Sequence, residues 1–488
     1  MGVSNLAPSA TAAAAPASTA PPLVVDLDGT LVRSDLLLES ALLTLRRKPV
    51  ALLHLPAVLL RGRAALKREL AETALPDVQT LPYRAELLDC LREQRSRGRR
   101  IILVTAADRR IAEAVAAHLG LFDMVLASDG IHNLGGEAKR RRLVELFGEH
   151  GYVYVADSRQ DLPVWASAHS AWVVGAPPRF CRAVSRITRV ECVFPGRPSP
   201  TDLLRALRPH QWLKNLLVLL PLLAAHRLFE PLPLLRACLA LVAFCACASG
   251  VYLLNDLLDL PKDRRHPSKR RRPLAAGLMS IPQAIALLAV LEAAALFLAL
   301  VLSPWVAVVL CLYFKVNAAY SLGLKDHAVL DVLLLAGGYA ARIAAGAAAV
   351  GIALSPWLLA FCMFLFFSLA LLKRFAELVA ARVAQGAHAH ARGYLLDDAG
   401  VMVAQGIASG YIGVLVLALY TNSSLVQNLQ GRYWLFWFNC LLLLYWVSYL
   451  WLMADRGKVV DDPVTFALQD RVSRLLLAGM AAAALAAA

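Results

Sequence analysis

The chain has 488 residues, 59% of them hydrophobic and only 17% charged, with a mean hydropathy of +0.57. Soluble domains hold about 45–50% and about 25%, so an ordinary soluble protein and a disordered one are both excluded. Basic residues number 50 against 35 acidic, a formal charge of +15. With this hydropathy the excess points to Lys/Arg-rich cytoplasmic membrane loops facing anionic lipid and ligands, and not to nucleic acid. Of nine cysteines, six (Cys238, Cys245, Cys247, Cys311, Cys362 and Cys440) lie in apolar stretches and none has metal-ligand spacing. They read as small buried hydrophobes and exclude a disulfide framework.

Residues 1–22 are rich in Ala, Ser, Pro and Thr and carry no charged side chain. Pro8, Pro16, Pro21 and Pro22 break the apolar run that a secretory signal needs, so a disordered leader is expected. Residues 23–195 read as a soluble α/β domain. Short apolar runs at Leu23–Leu27, Ile101–Thr105, Met124–Ala127, Tyr152–Ala156 and Ala171–Val174 alternate with helical stretches, the rhythm of a parallel, Rossmann-like sheet buried on both faces. A helical insertion follows the first strand. In it Pro49–Leu60 is apolar and flanked by Arg46, Arg47, Lys48, Arg61 and Arg63. Too short to cross about 30 Å of hydrocarbon, it reads either as a buried cap helix or as a helix lying on the membrane surface.

Residues 196–208, flanked and broken by Pro195, Pro198 and Pro200, read as a linker, and 209–488 as an all-α polytopic membrane domain. Nine apolar stretches are expected to cross: 213–229, 234–254, 281–302, 304–322, 329–351, 355–372, 400–421, 433–453 and 472–488. Every even-numbered gap is charged and the odd ones nearly bare, which puts the N-terminal domain and the charged loops in the cytoplasm. No internal repeat is evident, and a homo-oligomer is left open.

Asp26-Leu27-Asp28-Gly29-Thr30 ends the first strand. Carboxylates at i and i+2 leave a strand end on one side, one able to attack phosphorus and the other to move a proton. Thr105 closes the second strand, where its hydroxyl can bind a phosphoryl oxygen; Lys139 opens a helix after Gly135-Gly136, where it can neutralise the phosphoryl charge. Asp157 and Asp161 follow the fourth strand, and hard carboxylates suit Mg²⁺. In this order the residues resemble the four motifs of the haloacid dehalogenase (HAD) superfamily, over residues 23–175. The resemblance implies Asp26 as nucleophile and Asp28 as general acid/base, with Thr105 and Lys139 binding phosphate. It also implies Mg²⁺ at Asp26, Asp157 and the backbone of Asp28, with Asp161 a further metal candidate from its own spacing. Ala156 stands where the family often has Gly.

Asn255-Asp256-x-x-Asp259-x-x-x-Asp263 ends the second apolar stretch. The spacing puts three carboxylates on one face if the helix persists; beside seven basic residues they suit a Mg²⁺-bridged diphosphate. The string resembles the first aspartate-rich motif of the UbiA superfamily of intramembrane prenyltransferases. The counterpart second motif, Tyr320-Ser321-x-x-Leu324-Lys325 followed by Asp331, departs from the common DxxxD form. With Arg208-Pro209-His210-Gln211-Trp212-Leu213-Lys214-Asn215, Lys373-Arg374-Phe375-Ala376-Glu377-Leu378 and Asp461-Asp462-Pro463, it is similar to the branch of decaprenyl-phosphate phosphoribosyltransferases. The resemblance implies that Mg²⁺ at Asp256, Asp259, Asp263 and Asp331 binds phosphoribosyl diphosphate and that polyprenyl phosphate attacks it. Lys214, Asn255, Lys325, Arg342, Lys373 and Arg374 would then bind substrate, since three phosphate-bearing groups need many cations. Arg342 lies deep within a span, where a charge is a functional candidate or a helix-pairing group.

The preferred reading is one pathway: phosphoribosyl transfer, then removal of the 5-phosphate by the HAD domain, giving polyprenyl-phosphoryl-ribose for an arabinose-type envelope glycan. One alternative is a prenyltransferase acting on an aromatic acceptor with an unrelated HAD domain. Another is a membrane scaffold whose HAD domain is its one enzyme.

Overall fold

A computed structural model describes residues 20–196, 199–225, 227–385, 390–391, 393–422, 434–459 and 462–487. Most of the expected leader, two residues of the expected linker and Asp461 lie outside them. The chain forms two compact units, residues 1–206 with 256–284 and residues 207–255 with 285–488. The segment bearing the aspartate triplet thus belongs to the first unit, which the linear division at residues 196–208 does not show.

The first unit is built on a six-stranded parallel sheet in the order β3-β2-β1-β4-β5-β6. The strands are β1 (Leu23–Val25), β2 (Ile101–Asp108), β3 (Met124–Ser128), β4 (Val153–Ala156), β5 (Ser170–Val174) and β6 (Val190–Phe194). Leu23 and Val25 pack in one core with Leu87, Leu91, Ile111 and Val115, while Val24 packs in the opposite core with Leu143, Trp165 and Phe180. Alternate residues of a central strand therefore bury on opposite faces, which is why β1 is continuously apolar. Because β1 lies between β2 and β4, their C-terminal ends meet at one edge of the sheet, where ligands of such sheets bind.

Five of the six strands overlap the expected runs, although β1 ends at Val25 and β2 continues past Thr105 to Asp108; β6 lies outside the expected runs. The insertion is helical at Leu36–Arg47, Leu55–Leu60 and Arg63–Thr73. Asp35 starts the first helix by accepting from the Leu38 N–H at 3.0 Å. Pro49–Leu60 is not one buried cap helix. It is a 3₁₀ turn, Pro49–His54, then Leu55–Leu60 with Pro56 in its first turn, leaving Val50, Leu53 and Leu60 exposed at 67%, 76% and 91%. Within the expected linker, Pro200–Leu207 is helical.

The second unit is helical. Among the described residues seven helices of the chain are long and apolar enough to cross a membrane: Pro231–Leu258, Ile281–Leu302, Pro304–Leu322, Leu330–Val350, Pro356–Arg382, Leu396–Thr421 and Trp437–Asp455. The other two expected spans take different forms. The first is a 3₁₀ helix, Pro209–Leu219, followed by Leu220–Ala224, and the last is the 17-residue helix Arg471–Ala487.

The aspartate triplet does not lie on one continuous helix. Pro231–Leu258 stops before Asp259, and Leu260–Arg265 begins after it. Pro261 explains the break, since it has no N–H to donate to the preceding turn and its ring clashes with that turn's carbonyl.

Candidate functional site

At the C-terminal edge of the sheet, Asp26, Asp157 and Asp161 each offer an oxygen within 4.8 Å of the others, a grouping that could hold a metal ion. Lys139, brought in by the helix Glu137–Phe147, donates to Asp26 Oδ1 at 3.0 Å, Asp161 Oδ1 at 3.3 Å and the Tyr154 hydroxyl at 2.9 Å. Tyr154 donates to Asp161 Oδ1 at 2.7 Å, Ser158 to Asp161 Oδ2 at 2.6 Å, and Thr30 to Asp157 Oδ1 at 3.2 Å. Three carboxylates thus face one ammonium in a buried site. Burial pushes Asp26 up to about 6 against the pull of Lys139, and burial with the charges of Asp26 and Asp161 pushes Asp157 up to about 7. Burial also works against the Lys139 charge, but Asp26 and Asp161 hold it above the usual lysine value. Hard oxygen donors in excess over local positive charge fit a divalent cation.

Asp28 stands apart from this cluster, accepting from the Leu36 N–H at 2.9 Å. Burial, with Asp35 beside it, raises it to about 8, so it carries a proton near neutrality, as a general acid requires. Gly29 sits at φ +73, and a Cβ there would lie 2.3 Å from Asp157 Oδ2. The loop therefore needs glycine both for its left-handed turn and for the approach of Asp157. Thr105 is fully buried, its Oγ accepting from the Ala107 N–H at 2.9 Å, which leaves the hydroxyl proton to donate.

Sequence reasoning missed several supporting groups. Arg84 donates to the Thr30 and Gly29 carbonyls at 3.0 and 2.9 Å and so braces the Asp26–Thr30 loop. Lys67 reaches the Ala106 carbonyl at 2.6 Å and Asn133 at 2.7 Å. Tyr154 was readable: a phenol in an otherwise apolar buried strand needs a polar partner.

In the same unit, Asp256 and Asp263 converge on Arg272 Nη1, at 3.0 Å for Asp256. Asp259 pairs instead with Arg46 at 2.6 Å. The first two carboxylates thus share a seat for positive charge, and the third faces another way.

In the second unit, Asn255 Oδ1 accepts from Ser321 at 3.3 Å and from Lys325 at 3.5 Å, so the first and second motifs meet. Lys214 and Lys373 converge on Asp462 Oδ2 at 2.6 and 3.3 Å. Burial opposes the charge of Asp462, but the two lysines hold it well below the usual carboxylate range. Arg374 pairs with Asp331, with Glu377 at 2.7 Å and with the Tyr320 hydroxyl at 2.7 Å. Asp331, expected as a metal residue, has its other oxygen on the Tyr394 hydroxyl at 3.0 Å, so both oxygens are engaged. Arg342, expected to bind substrate, donates to Asn215 at 2.8 Å, the Gly338 carbonyl at 2.6 Å and the Tyr313 hydroxyl at 3.2 Å. It also stacks on Phe244, Tyr313 and Tyr339 at 5.0–5.5 Å, the surroundings of a helix-pairing cation.

The UbiA prenyltransferase family model matches residues 216–473, and the haloacid dehalogenase-like hydrolase model matches residues 23–165. The chain is 36% identical to an uncharacterized protein, y4nM, of Sinorhizobium fredii over 95% of this chain and 90% of that protein, so both halves occur together there. It is 35% identical to nodulation protein NoeC of Azorhizobium caulinodans, over 57% of this chain and 90% of that one. It is 32% identical to decaprenyl-phosphate phosphoribosyltransferase of Mycolicibacterium smegmatis, over 58% of this chain and 91% of that one.

Proposed function

The chain belongs to the UbiA prenyltransferase family and carries an N-terminal HAD-like hydrolase domain; from that premise we propose that it makes polyprenyl-phosphoryl-ribose in two steps. The membrane half transfers 5-phosphoribose from phosphoribosyl diphosphate to a polyprenyl phosphate of decaprenyl type. The hydrolase half then removes the 5-phosphate.

The observation that carries the first step is Lys325. It is 4% exposed and reaches Asn255 Oδ1 at 3.5 Å, a buried cation beside the first aspartate motif. A donor diphosphate, a ribose 5-phosphate and a lipid phosphate would use it, together with Lys214, Lys373 and Arg374. The similarity to decaprenyl-phosphate phosphoribosyltransferase points the same way. In the transfer, a lipid phosphate oxygen bonds to the ribose anomeric carbon while the carbon–oxygen bond to diphosphate breaks and diphosphate leaves with the electron pair. Cationic side chains stabilise that leaving charge.

In the hydrolase step, Asp26 attacks phosphorus, Lys139 and Thr105 hold the phosphoryl oxygens, and protonated Asp28 gives its proton to the departing ribose 5-oxygen. Asp28 then takes a proton from the water that cleaves the aspartyl-phosphate. Mg²⁺, when bound, supplies positive charge that screens phosphate oxygens. Asp26, Asp157, Asp161 and the Asp28 backbone would hold it in the hydrolase, and Asp256 and Asp263 with Asp259 in the transferase.

Nine crossings and a cytoplasmic hydrolase belong to the same proposal. Eleven 3₁₀ residues at about 2.0 Å and five α residues at about 1.5 Å give the Pro209–Ala224 segment roughly 30 Å, the thickness of the hydrocarbon core. The exposed apolar turn at Pro49–Leu60, flanked by basic residues, suits the membrane surface.

The test is the purified protein with labelled phosphoribosyl diphosphate, polyprenyl phosphate and Mg²⁺, its lipids read by mass spectrometry. Ribosyl lipid without the 5-phosphate is expected. Label transferred only when a polyprenyl diphosphate and an aromatic acceptor replace these substrates would overturn the reading.

A further inference from the structure

Within the first unit, the aspartate-bearing segment is gripped by the hydrolase insertion. Glu39 of the helix Leu36–Arg47 accepts from both terminal nitrogens of Arg264, at 2.6 and 2.9 Å. The pair is almost fully buried, with side chains 3% and 5% exposed. Seven residues further along the same helix, Arg46 Nη1 donates to the Leu258 carbonyl at 3.1 Å and to Asp259 Oδ1 at 2.6 Å. A guanidinium there caps the Leu258 carbonyl at the end of the Pro231–Leu258 helix, where positive charge is favoured, and at the same time aims the carboxylate that follows.

An apolar crevice and a close backbone approach accompany the grip. Leu42 and Leu43 of the insertion helix line one small crevice with Leu257, Leu258, Leu260 and Pro261. At the far end of the segment Gly277 has φ +67, and a Cβ there would stand 2.5 Å from the Arg33 Cβ and 3.1 Å from the Pro82 Cβ. Backbone therefore comes too close at that point for any side chain. These contacts fall at both ends of the stretch that holds Asp256, Asp259, Asp263 and Arg272.

A buried, two-pronged ion pair demands its geometry, because losing one partner strands the other charge away from water. A surface tether would not need it. We propose that the hydrolase insertion is a positioning element for the transferase, in which Glu39 and Arg46 hold the segment Asp256–Arg272 in place and Arg46 sets the direction of the Asp259 carboxylate. This deepens the phosphoribosyl-transfer reading and rests on it for the role of the segment. It also gives the fusion a purpose apart from passing product along: the aspartate-bearing segment draws its order from the hydrolase fold. Neither Glu39 nor Arg46 touches the hydrolase cluster, so the two activities can be separated by mutation.

The experiment uses the full chain in detergent. Hydrogen exchange over residues 256–272, the donor KM and kcat for transfer, and p-nitrophenyl phosphate hydrolysis are measured for wild type, Glu39→Gln, Arg46→Gln, Gly277→Val and the charge exchange Glu39→Arg/Arg264→Glu. The single variants should exchange faster over 256–272 and raise the donor KM by about tenfold or more. Hydrolysis of the model ester should stay unchanged, and the charge exchange should restore most of the lost protection and affinity. Wild-type exchange rates in Glu39→Gln and Arg46→Gln would overturn the proposal, as would a parallel loss of ester hydrolysis, which marks general unfolding. A wild-type protein that transfers nothing to polyprenyl phosphate would overturn the functional reading alone, since exchange still decides whether Glu39 and Arg46 hold the segment.

Discussion

The two acidic regions of this chain meet their charge in opposite ways. In the hydrolase, Asp26, Asp157 and Asp161 crowd within 4.8 Å around the single ammonium of Lys139, and burial pushes two of them toward protonation. In the other region Asp256 and Asp263 already share Arg272, and Asp259 has Arg46. A cation entering the first region relieves repulsion. In the second, guanidinium groups already balance the carboxylates. The first is a grouping that could hold a metal ion, and the second is a salt-bridged segment.

The most forceful way to break this comparison is to replace Asp26, the proposed nucleophile of the hydrolase. Asp26→Asn keeps the side-chain shape but cannot form the aspartyl-phosphate; loss of a nucleophile costs on the order of 10⁴–10⁶-fold in rate. Mass spectrometry of lipids from the intact protein should then show the 5-phosphorylated ribosyl lipid accumulating. If wild type and Asp26→Asn both yield only that lipid, the hydrolase serves another substrate. The complementary change, Asp256→Ala or Asp259→Ala, should abolish phosphoribosyl transfer while ester hydrolysis persists. Loss of both activities in a folded variant would show that the two regions are not separate sites.

The contrast also explains what the sequence could reveal. In the hydrolase, Asp26 and Asp157 directly follow buried apolar strands and Thr105 lies in one, and a parallel sheet brings consecutive strand ends to one edge. Asp26, Thr105 and Asp157 could therefore be placed from sequence alone. The edge strand β6 escaped notice because Glu191 interrupts it and Val193 is half exposed, so it lacks the continuous burial of β1 or β4. For the aspartate triplet, the i, i+3, i+7 spacing assumed an unbroken helix, although Pro261 was a visible reason for it to stop. Arg46, Glu39 and Arg272 were not readable, since nothing in local spacing pairs residue 46 with residue 259. Among the expected spans, Pro209 and Pro221 mark the segment that becomes largely 3₁₀.

A smaller effect sharpens the assignment of the donor. Lys325→Ala should raise the KM for phosphoribosyl diphosphate with little change in the rate of the bound complex. A charged hydrogen bond contributes roughly 1.5–3 kcal/mol, which corresponds to about 10- to 150-fold. Steady-state kinetics across donor concentrations measures it. An unchanged KM would take Lys325 out of the donor site and reopen the aromatic-acceptor alternative.

The smallest expected effect concerns pH and probes the hydrolase cluster directly. Metal ligands must shed their protons, so affinity for Mg²⁺ falls where carboxylates are protonated. Asp157, raised to about 7 in the metal-free site, is mostly ionised at about pH 8 and mostly protonated at about pH 6. That group alone should weaken Mg²⁺ binding about tenfold across the interval, and Asp26, raised to about 6, adds to the loss near its lower end. Stability without metal should run the other way. A carboxyl whose folded pKa lies above its unfolded value favours the folded state below the unfolded value, and that advantage is lost as pH rises through the folded one. The metal-free hydrolase unit should thus melt earlier at about pH 8 than at about pH 6, and Mg²⁺ should raise its melting temperature most at the higher pH. Calorimetric Mg²⁺ titration in buffers of different ionisation enthalpy would reveal the released protons. Asp157→Asn should remove most of that release; full release in the variant would mean that Asp157 lies outside the metal seat and that the crowding around Lys139 has another purpose.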